Sequence, residues 1–270
     1  MRPLHFISGL PRSGSTLLAG LLRQNPRFHA HMSSPLAGLV RSLLERMSVR
    51  NEFAVFATDA QRERVLRGVF EQYYGPEFTA EVILDTTRDW CARMPLLQTL
   101  FPASKVIACV REVPWIVDSI EQLVRRNVFS PSSIFNYLAG GTVYSRSEAV
   151  ANGDGMLGFP YNALKEAFYG EHTQHLLLLQ YETLVTEPGK ALQAVYDFIG
   201  EKPFKHNMKR VEFDAREFDE KAGTPGLHDV RPVVGAKARQ TVLPPDVFRR
   251  FENDAFWRDP QRNPHKVQIV

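Results

Sequence analysis

Eight residues near the start of the chain, Gly9-Leu10-Pro11-Arg12-Ser13-Gly14-Ser15-Thr16, carry two glycines, one arginine and three hydroxyls. Between a strand and a helix, such a segment turns backbone N–H groups and a helix N-terminus toward an anion. The spacing is G-x-x-x-x-G followed by Ser15-Thr16, so the lysine of a nucleotide-triphosphate loop is absent and Arg12 is the loop's sole cation. The anion is therefore held by a chemistry other than that of ATP hydrolysis. A second group is Arg111, which closes an apolar run, with Ser119 eight residues on. An arginine at a strand end and a serine about one turn into the next helix can converge on one phosphate through charge-assisted hydrogen bonds. A structural ion pair is the other use of such an arginine. The third group is Tyr181-Glu182-Thr183-Leu184, then Thr186-Glu187-Pro188, after the run His175 to Gln180.

These groups act together only if the elements before them end at one edge. The runs Leu4 to Ser8, Val82 to Leu84, Lys105 to Val110 and His175 to Gln180 are short, β-prone and nearly continuous. That is the pattern of strands covered on both faces of a parallel sheet. Helical patterns separate them at Thr16 to Gln24, Met94 to Leu100, Pro114 to Val124 and Lys190 to Ile199. Pro114 suits a first helical position. A further helix is predicted over Asp59 to Tyr73, with Val65, Val69 and Tyr73 spaced by four and Asp59 as its N-cap. The alternation predicts an α/β fold, a doubly wound parallel sheet with right-handed crossovers and helices on both faces. Ligands of such sheets sit at the carboxyl ends of the strands, where Arg12, Arg111 and Tyr181 fall. Ser132 to Ala151 and Asn162 to Tyr169 predict a helical cap over that edge, within residues 132–170. Residues 213–270, polar and rich in Pro and Gly, read as a loop closure with one short helix, Pro245 to Asn253. Residues 1–270 are read as a single domain.

Composition narrows the function classes. At 44% hydrophobic and 23% charged the chain is an ordinary globular one, and a net charge of +3 is too small for a polyanion-coating surface. Nucleic acid is not an expected partner. Cys91 and Cys109 lie in apolar stretches and are expected as buried thiols rather than a disulfide. No apolar run approaches the roughly 18 residues of a membrane span. A strand beginning after three residues leaves no room for a signal peptide, so a cytoplasmic protein is expected. No His, Cys and Asp residues cluster at metal-ligand spacing.

With the three groups in this order, the chain resembles the sulfotransferases that use 3′-phosphoadenosine 5′-phosphosulfate (PAPS), most closely their bacterial branch. The likeness runs from Leu4 to about Gly200 and more loosely beyond. That family's 5′-phosphosulfate loop, Pro-Arg/Lys-x-Gly-Thr/Ser-Thr, is matched by Pro11 to Thr16; its strand-end arginine and later serine are matched by Arg111 and Ser119. Its Tyr-Glu-x-Leu…Pro segment is matched by Tyr181 to Pro188. The resemblance implies a P-loop-like fold in which Pro11, Arg12, Ser13, Gly14, Ser15 and Thr16 hold the 5′-phosphosulfate. It further implies that Arg111 and Ser119 hold the 3′-phosphate and that Tyr181 lies near the adenine side. PAPS is then the donor, 3′-phosphoadenosine 5′-phosphate (PAP) the product, and no metal is implied. In-line attack by an acceptor hydroxyl or amine loads charge on the bridging oxygen, where fixed donors lower the barrier.

The general base is not carried over by the motifs. The family draws it from a Glu soon after the first helix or from a Lys-Thr-His at the end of the second strand. Here Phe28 to Pro35 holds no carboxylate, and the strand end reads Asp85-Thr86-Thr87-Arg88-Asp89-Trp90. Related bacterial sequences often carry a lysine where Thr86 stands. Asp85 is the first candidate base and His31 the second. Arg88 either stabilises sulfuryl charge or pairs with Asp85. The family's C-terminal Arg-Lys-Gly is absent, so Leu227 to Arg231 and Gly235 to Arg239 are either a cofactor closure or a solvated loop. Arg125-Arg126 either supports the 3′-phosphate or answers its helix dipole. Trp115, Phe135, Tyr137 and Tyr144 are read as core or cap packing before an acceptor pocket. The acceptor is a small molecule, a lipid or a saccharide, and a homo-oligomer is compatible with the sequence. Two other readings stand beside this one. A P-loop small-molecule kinase would want a lysine in place of Ser15 and a Mg²⁺-holding aspartate. A non-catalytic nucleotide-binding protein of the same fold would have lost its base.

Overall fold

The computed structural model describes residues 2–48, 51–129 and 141–270. In chain order its elements are β1 (Leu4–Gly9), α1 (Ser15–Leu22), β2 (Phe28–Ala30), α2 (Leu36–Arg46), α3 (Asp59–Tyr73), β3 (Val82–Thr86), α4 (Met94–Leu100), β4 (Val106–Val110) and α5 (Val113–Arg126). There follow α6 (Val143–Ala151), α7 (Gly158–Tyr169), β5 (Leu176–Gln180), α8 (Tyr181–Thr186), α9 (Pro188–Ile199), α10 (Arg216–Lys221), α11 (Pro245–Arg250) and β6 (Gln268–Ile269). The six strands form one parallel sheet in the order β2-β3-β1-β4-β5-β6.

Every residue of β1, β3 and β4 is buried, which is why those runs read as continuous rather than alternating. Within them side chains still point alternately to two layers. Phe6, Ile83, Ala108 and Leu178 enter one core, packed with residues of α2 to α7 and α11. Ile7, Leu84, Ile107 and Leu179 enter the other, with residues of α1, α8 and α9. In the first core Phe6 meets Trp90 edge-on at 5.1 Å and Phe70 at 6.2 Å between ring centres. Such pairs contribute about 0.5–1.5 kcal/mol beyond their buried area. The chain leaves β1 toward β2 and β3 on one side and continues to β4 on the other. The crevice of this α/β sheet therefore opens at the carboxyl end of β1.

The structure departs from the sequence expectations at several places. Thr58, not Asp59, caps α3: its hydroxyl accepts from the Gln61 N–H and the Gln61 side chain accepts from the Thr58 N–H. Asp59 instead pairs with Arg62 at 2.7 Å. The buried face of α3 is Leu66 and Phe70, one residue around from the predicted one, and Val65 is 45% exposed. Ser119 is the seventh residue of α5, nearly two turns in rather than one. Strands β2 and β6 and helices α2, α8 and α10 lie where the sequence patterns predict no element. Of the expected cap, residues 132–140 lie outside the described residues, and with them Phe135 and Tyr137. The rest forms α6 and α7. Buried Glu121 of α5 binds Arg146 of α6 at 2.7 Å and Arg125 at 2.9 Å. Cys91 and Cys109 are buried free thiols whose pKa values burial pushes up to about 11 and about 12. Among the described residues no helix is long and apolar enough to cross a membrane.

Candidate active site

The loop after β1 is pressed onto β4. Gly9 has φ +100°, and a Cβ there would stand 2.2 Å from the Cys109 carbonyl oxygen. Only glycine permits that approach. The Leu10 N–H donates to the same carbonyl at 2.8 Å. The Ser13 hydroxyl also reaches Cys109 O at 2.8 Å, and Leu10 O as well. Ser13 thus fastens the loop with its side chain and does not line the cavity above it. Gly14, at φ +93°, would place a Cβ 2.9 Å from the Tyr181 ring, so the loop and the Tyr181 segment are in contact. Arg12 is left-handed too, at φ 57°, a conformation costing a non-glycine residue about 1–2 kcal/mol. Its guanidinium is held from two sides: Nε donates to Ser119 Oγ at 3.1 Å and Nη1 to the Leu227 carbonyl.

A second arginine lies against the first. Arg111 Nη1 donates to the Arg12 carbonyl at 3.3 Å, and its guanidinium sits 4.3 Å from the centre of the Tyr181 ring. Arg111 Nε is buried and has no partner among the described residues. Arg239 completes the cluster, bonded to Asp118 and 5.2 Å from the centre of the Trp115 ring, its own Nε also unpartnered among the described residues. Buried Asp118 accepts from Thr241 at 2.9 Å and from the Val242 N–H at 2.7 Å as well, which pins the C-terminal strap to α5. Burial first, then Arg111 and Arg126, lowers the Arg12 pKa to about 10 against the opposing pull of Asp219 and Asp229. Burial and Arg111 lower Arg239 to about 10 as well. Cations crowded this closely and with idle donors are stabilised by an anion between them.

The space they border is a cavity of about 360 Å³. Its floor is Arg12, Gly14, Ser15, Thr16 and the β3 end at Thr86 to Arg88; one wall is Arg111, Ser119 and Tyr181. Its roof is the C-terminal strap, from Leu227 to Arg231 and on to Gly235 and Arg239. Thr86 Oγ1 is buried there with no partner among the described residues. Arg88 donates to the Met156 carbonyl at 3.4 Å and is not paired with Asp85.

Pro11, Arg12, Gly14, Ser15, Thr16, Arg88, Arg111, Ser119 and Tyr181 therefore share one cavity, whereas Asp85 and His31 do not line it. Asp85 is 1% exposed and turned into the aromatic core. Its carboxylate accepts from Trp90 Nε1 at 2.7 Å, from the Tyr74 hydroxyl and from Ser34. Burial still raises its pKa above the ordinary carboxylate range. His31 packs against the Phe213 ring at 5.6 Å between centres, and burial lowers its pKa. Arg125 is taken by Glu121, while Arg126 faces an adjoining recess beside Trp115. Trp115 packs edge-on against Phe248 at 5.2 Å, and Tyr144 is exposed with its hydroxyl on Asp246.

Sequence reasoning did not find the pair His228 and Asp219. His228 lines the cavity roof, and its Nδ1 lies 2.6 Å from Asp219 Oδ1 while its backbone N–H donates to Oδ2 at 2.8 Å. Nothing in the spacing of the two residues marks them as a pair. The one available signal was the position of His228 inside a candidate closure segment.

Comparison with known proteins bears on this arrangement. Among solved structures, the sulfotransferase domain from the curacin biosynthetic pathway is 18% identical, with 76% of each chain covered and a TM-score of 0.50. A sulfotransferase from Alicyclobacillus acidocaldarius is 13% identical over 82% of this chain and 90% of that one, with a TM-score of 0.50. At these identities the likeness is one of fold. No curated protein matches the chain. The model of the sulfotransferase family, however, matches residues 3–205, which carry β1 to β5 and all three motif segments. The chain belongs to the sulfotransferase family.

Proposed function

We propose that the protein transfers a sulfuryl group from PAPS to an acceptor hydroxyl or amine by in-line displacement. The observation that carries this reading is the junction of Arg12, Ser119 and Arg111. Arg12 Nε bonds Ser119 Oγ at 3.1 Å and Arg111 bonds the Arg12 carbonyl at 3.3 Å. The residues suited to a 5′-phosphosulfate and those suited to a 3′-phosphate thus border one cavity, with no loop lysine. The idle Nε of Arg111, in the wall, and of Arg239, in the roof, fit a second anionic group between them. Bound there, PAPS supplies the sulfuryl group and a phosphate leaving group. The protein's own part is electrostatic and positional. The N-terminus of α1 and the hydroxyls of Ser15 and Thr16 face the 5′ end. Arg12 faces the oxygen on which charge grows, and Arg88 and Thr86 border the same cavity. Arg111, stacked on Tyr181, and Ser119 take the 3′-phosphate.

Calorimetry with PAP and with 5′-AMP tests the donor assignment. Arg111→Ala is expected to weaken PAP binding by roughly 10- to 100-fold, the cost of one hydrogen-bonded charge. Binding of 5′-AMP, which lacks the 3′-phosphate, should change by less than about threefold. An equal loss for both ligands overturns the assignment of Arg111. Transfer of radiolabelled sulfate from PAPS to phenols, aliphatic alcohols, lipids and saccharides then sorts the acceptor classes.

A further inference from the structure

We propose that His228, oriented by Asp219, is the general base that takes the acceptor's proton; the assignment rests on the reading of the cavity as a PAPS site. Asp219 sits on α10 and is 2% exposed. Its two oxygens hold one residue twice, Oδ1 at 2.6 Å from His228 Nδ1 and Oδ2 accepting the His228 backbone N–H at 2.8 Å. The Phe218 ring stands edge-on to the imidazole at 5.4 Å between centres. Ring position and rotation are thereby fixed. An Nδ1–H donated to the carboxylate leaves the Nε2 lone pair available, the arrangement by which a carboxylate orients a catalytic imidazole. Among the described residues no hydrogen bond engages Nε2.

His228 belongs to the same cavity as the phosphosulfate loop. Arg12 donates to the carbonyl of Leu227, the residue before His228, so the phosphosulfate loop itself holds this part of the roof. His228 lines the cavity, and its imidazole feels the charges of both Arg12 and Arg88. The two bases suggested by sequence lack this placement. Asp85 spends its oxygens on Trp90, Tyr74 and Ser34, and His31 lies outside the cavity.

In the step, the acceptor O–H gives its proton to His228 Nε2 while its oxygen forms a bond to sulfur. The bond from sulfur to the bridging oxygen breaks, and its electron pair leaves with the 5′-phosphate of PAP, beside Arg12. The facing charges are Asp219 from α10, Arg12 from the loop and Arg88 from the end of β3. Burial is the largest cause and, with the two arginines, lowers the His228 pKa; Asp219 opposes them. The imidazole is therefore neutral, and able to accept, at neutral pH. Removing the Asp219 charge removes the raising influence and must move the acid limb of the rate profile to lower pH.

The test follows radiolabelled PAPS with 2-naphthol and 1-hexanol as probe acceptors, beside PAP affinity by calorimetry and imidazole nitrogen NMR of the wild type with PAP bound. His228→Gln should keep PAP affinity within about threefold and lose about 10²-fold in kcat. Asp219→Asn should lose about tenfold and shift the acid limb downward, which a merely structural contact would not do. The NMR titration should show the proton on Nδ1 and a titrating Nε2, whether or not either probe is sulfated. A His228→Gln protein with kcat within threefold of wild type, or an Nε2-protonated tautomer in the neutral ring, overturns the base and leaves the donor site standing. A wild type that binds PAP no better than 5′-AMP removes the donor reading itself and the base with it.

Discussion

Substituting Arg12 with alanine is expected to slow sulfuryl transfer from PAPS by about 10²–10³, the usual loss when one preorganised donor to a developing charge is removed. The fold should survive the change. The variant loses the bonds to Ser119 Oγ and to the Leu227 carbonyl. A carbonyl left without its donor costs about 1–3 kcal/mol. Against this, burial first and then Arg111 and Arg126 push its pKa down to about 10, so its removal also relieves a desolvated charge and its repulsion. The two effects oppose, and the melting temperature should move little while kcat collapses. Arg12→Lys restores the charge but not the fork that spans Ser119 and Leu227, so its rate should fall between the two. Because Arg12 also holds the chain next to His228, the Arg12→Ala and His228→Gln losses should combine to less than their product. Saturating-PAPS kinetics with melting curves check all of this. An Arg12→Ala protein with near wild-type kcat would sever the loop from the chemistry.

The parts of the site that could be read from sequence are those where one backbone demand forces one residue type. Gly9 must be glycine because β4 passes under it, and Gly14 because the Tyr181 ring does. Those demands, with Arg12 and two hydroxyls after them, left a pattern at fixed spacing. The central strands were legible for a related reason, since burial on both faces makes them continuously apolar. Side-chain direction was not legible. Asp85 and Thr86 are neighbours at a strand end, yet one faces Trp90 in the core and the other borders the cavity. A shift of one residue along a strand reverses the face, and no spacing rule says which face meets the ligand. The roof was hidden for another reason. Residues 227–239 hold no regular element, and they are placed by scattered bonds such as Asp118 to Arg239 and Arg12 to Leu227. Partners so far apart in the chain have no period by which sequence could pair them. The missing loop lysine, by contrast, is explained by what surrounds Arg12. A guanidinium shared between Ser119 and the strap joins floor, wall and roof, which a point charge could not do.

Asp85→Ala is expected to cost about 2–6 kcal/mol of stability, because two donors, buried Trp90 Nε1 and the half-buried Tyr74 hydroxyl, lose their acceptor at about 1–3 kcal/mol each. Asp85→Asn should be tolerated. Its amide oxygen can still accept from Trp90, and its NH₂ can donate to the hydroxyl oxygens of Tyr74 or Ser34. The pH dependence separates the two. Burial raises the folded-state pKa of Asp85, and the bonds from Ser34, Tyr74 and Trp90 only partly offset it. A carboxyl whose folded pKa lies above its unfolded value contributes stability below the unfolded pKa and loses it as pH rises through the folded one. Wild-type stability from this group therefore falls on going from acid toward neutral pH, while the Asn variant carries no such slope. Melting temperatures of both proteins across that range should diverge in favour of the variant as pH rises, and parallel curves would show that the carboxylate is not held against its charge. The same variant decides the chemistry. With its bonds largely preserved, Asp85→Asn should keep transfer within about tenfold of wild type, since general-base loss costs about 10²–10⁴. A stable Asp85→Asn protein with transfer abolished would return the base to the strand end. Transfer retained with the slope removed makes Asp85 a buried anchor for Trp90 and Tyr74, leaving proton transfer to the cavity roof.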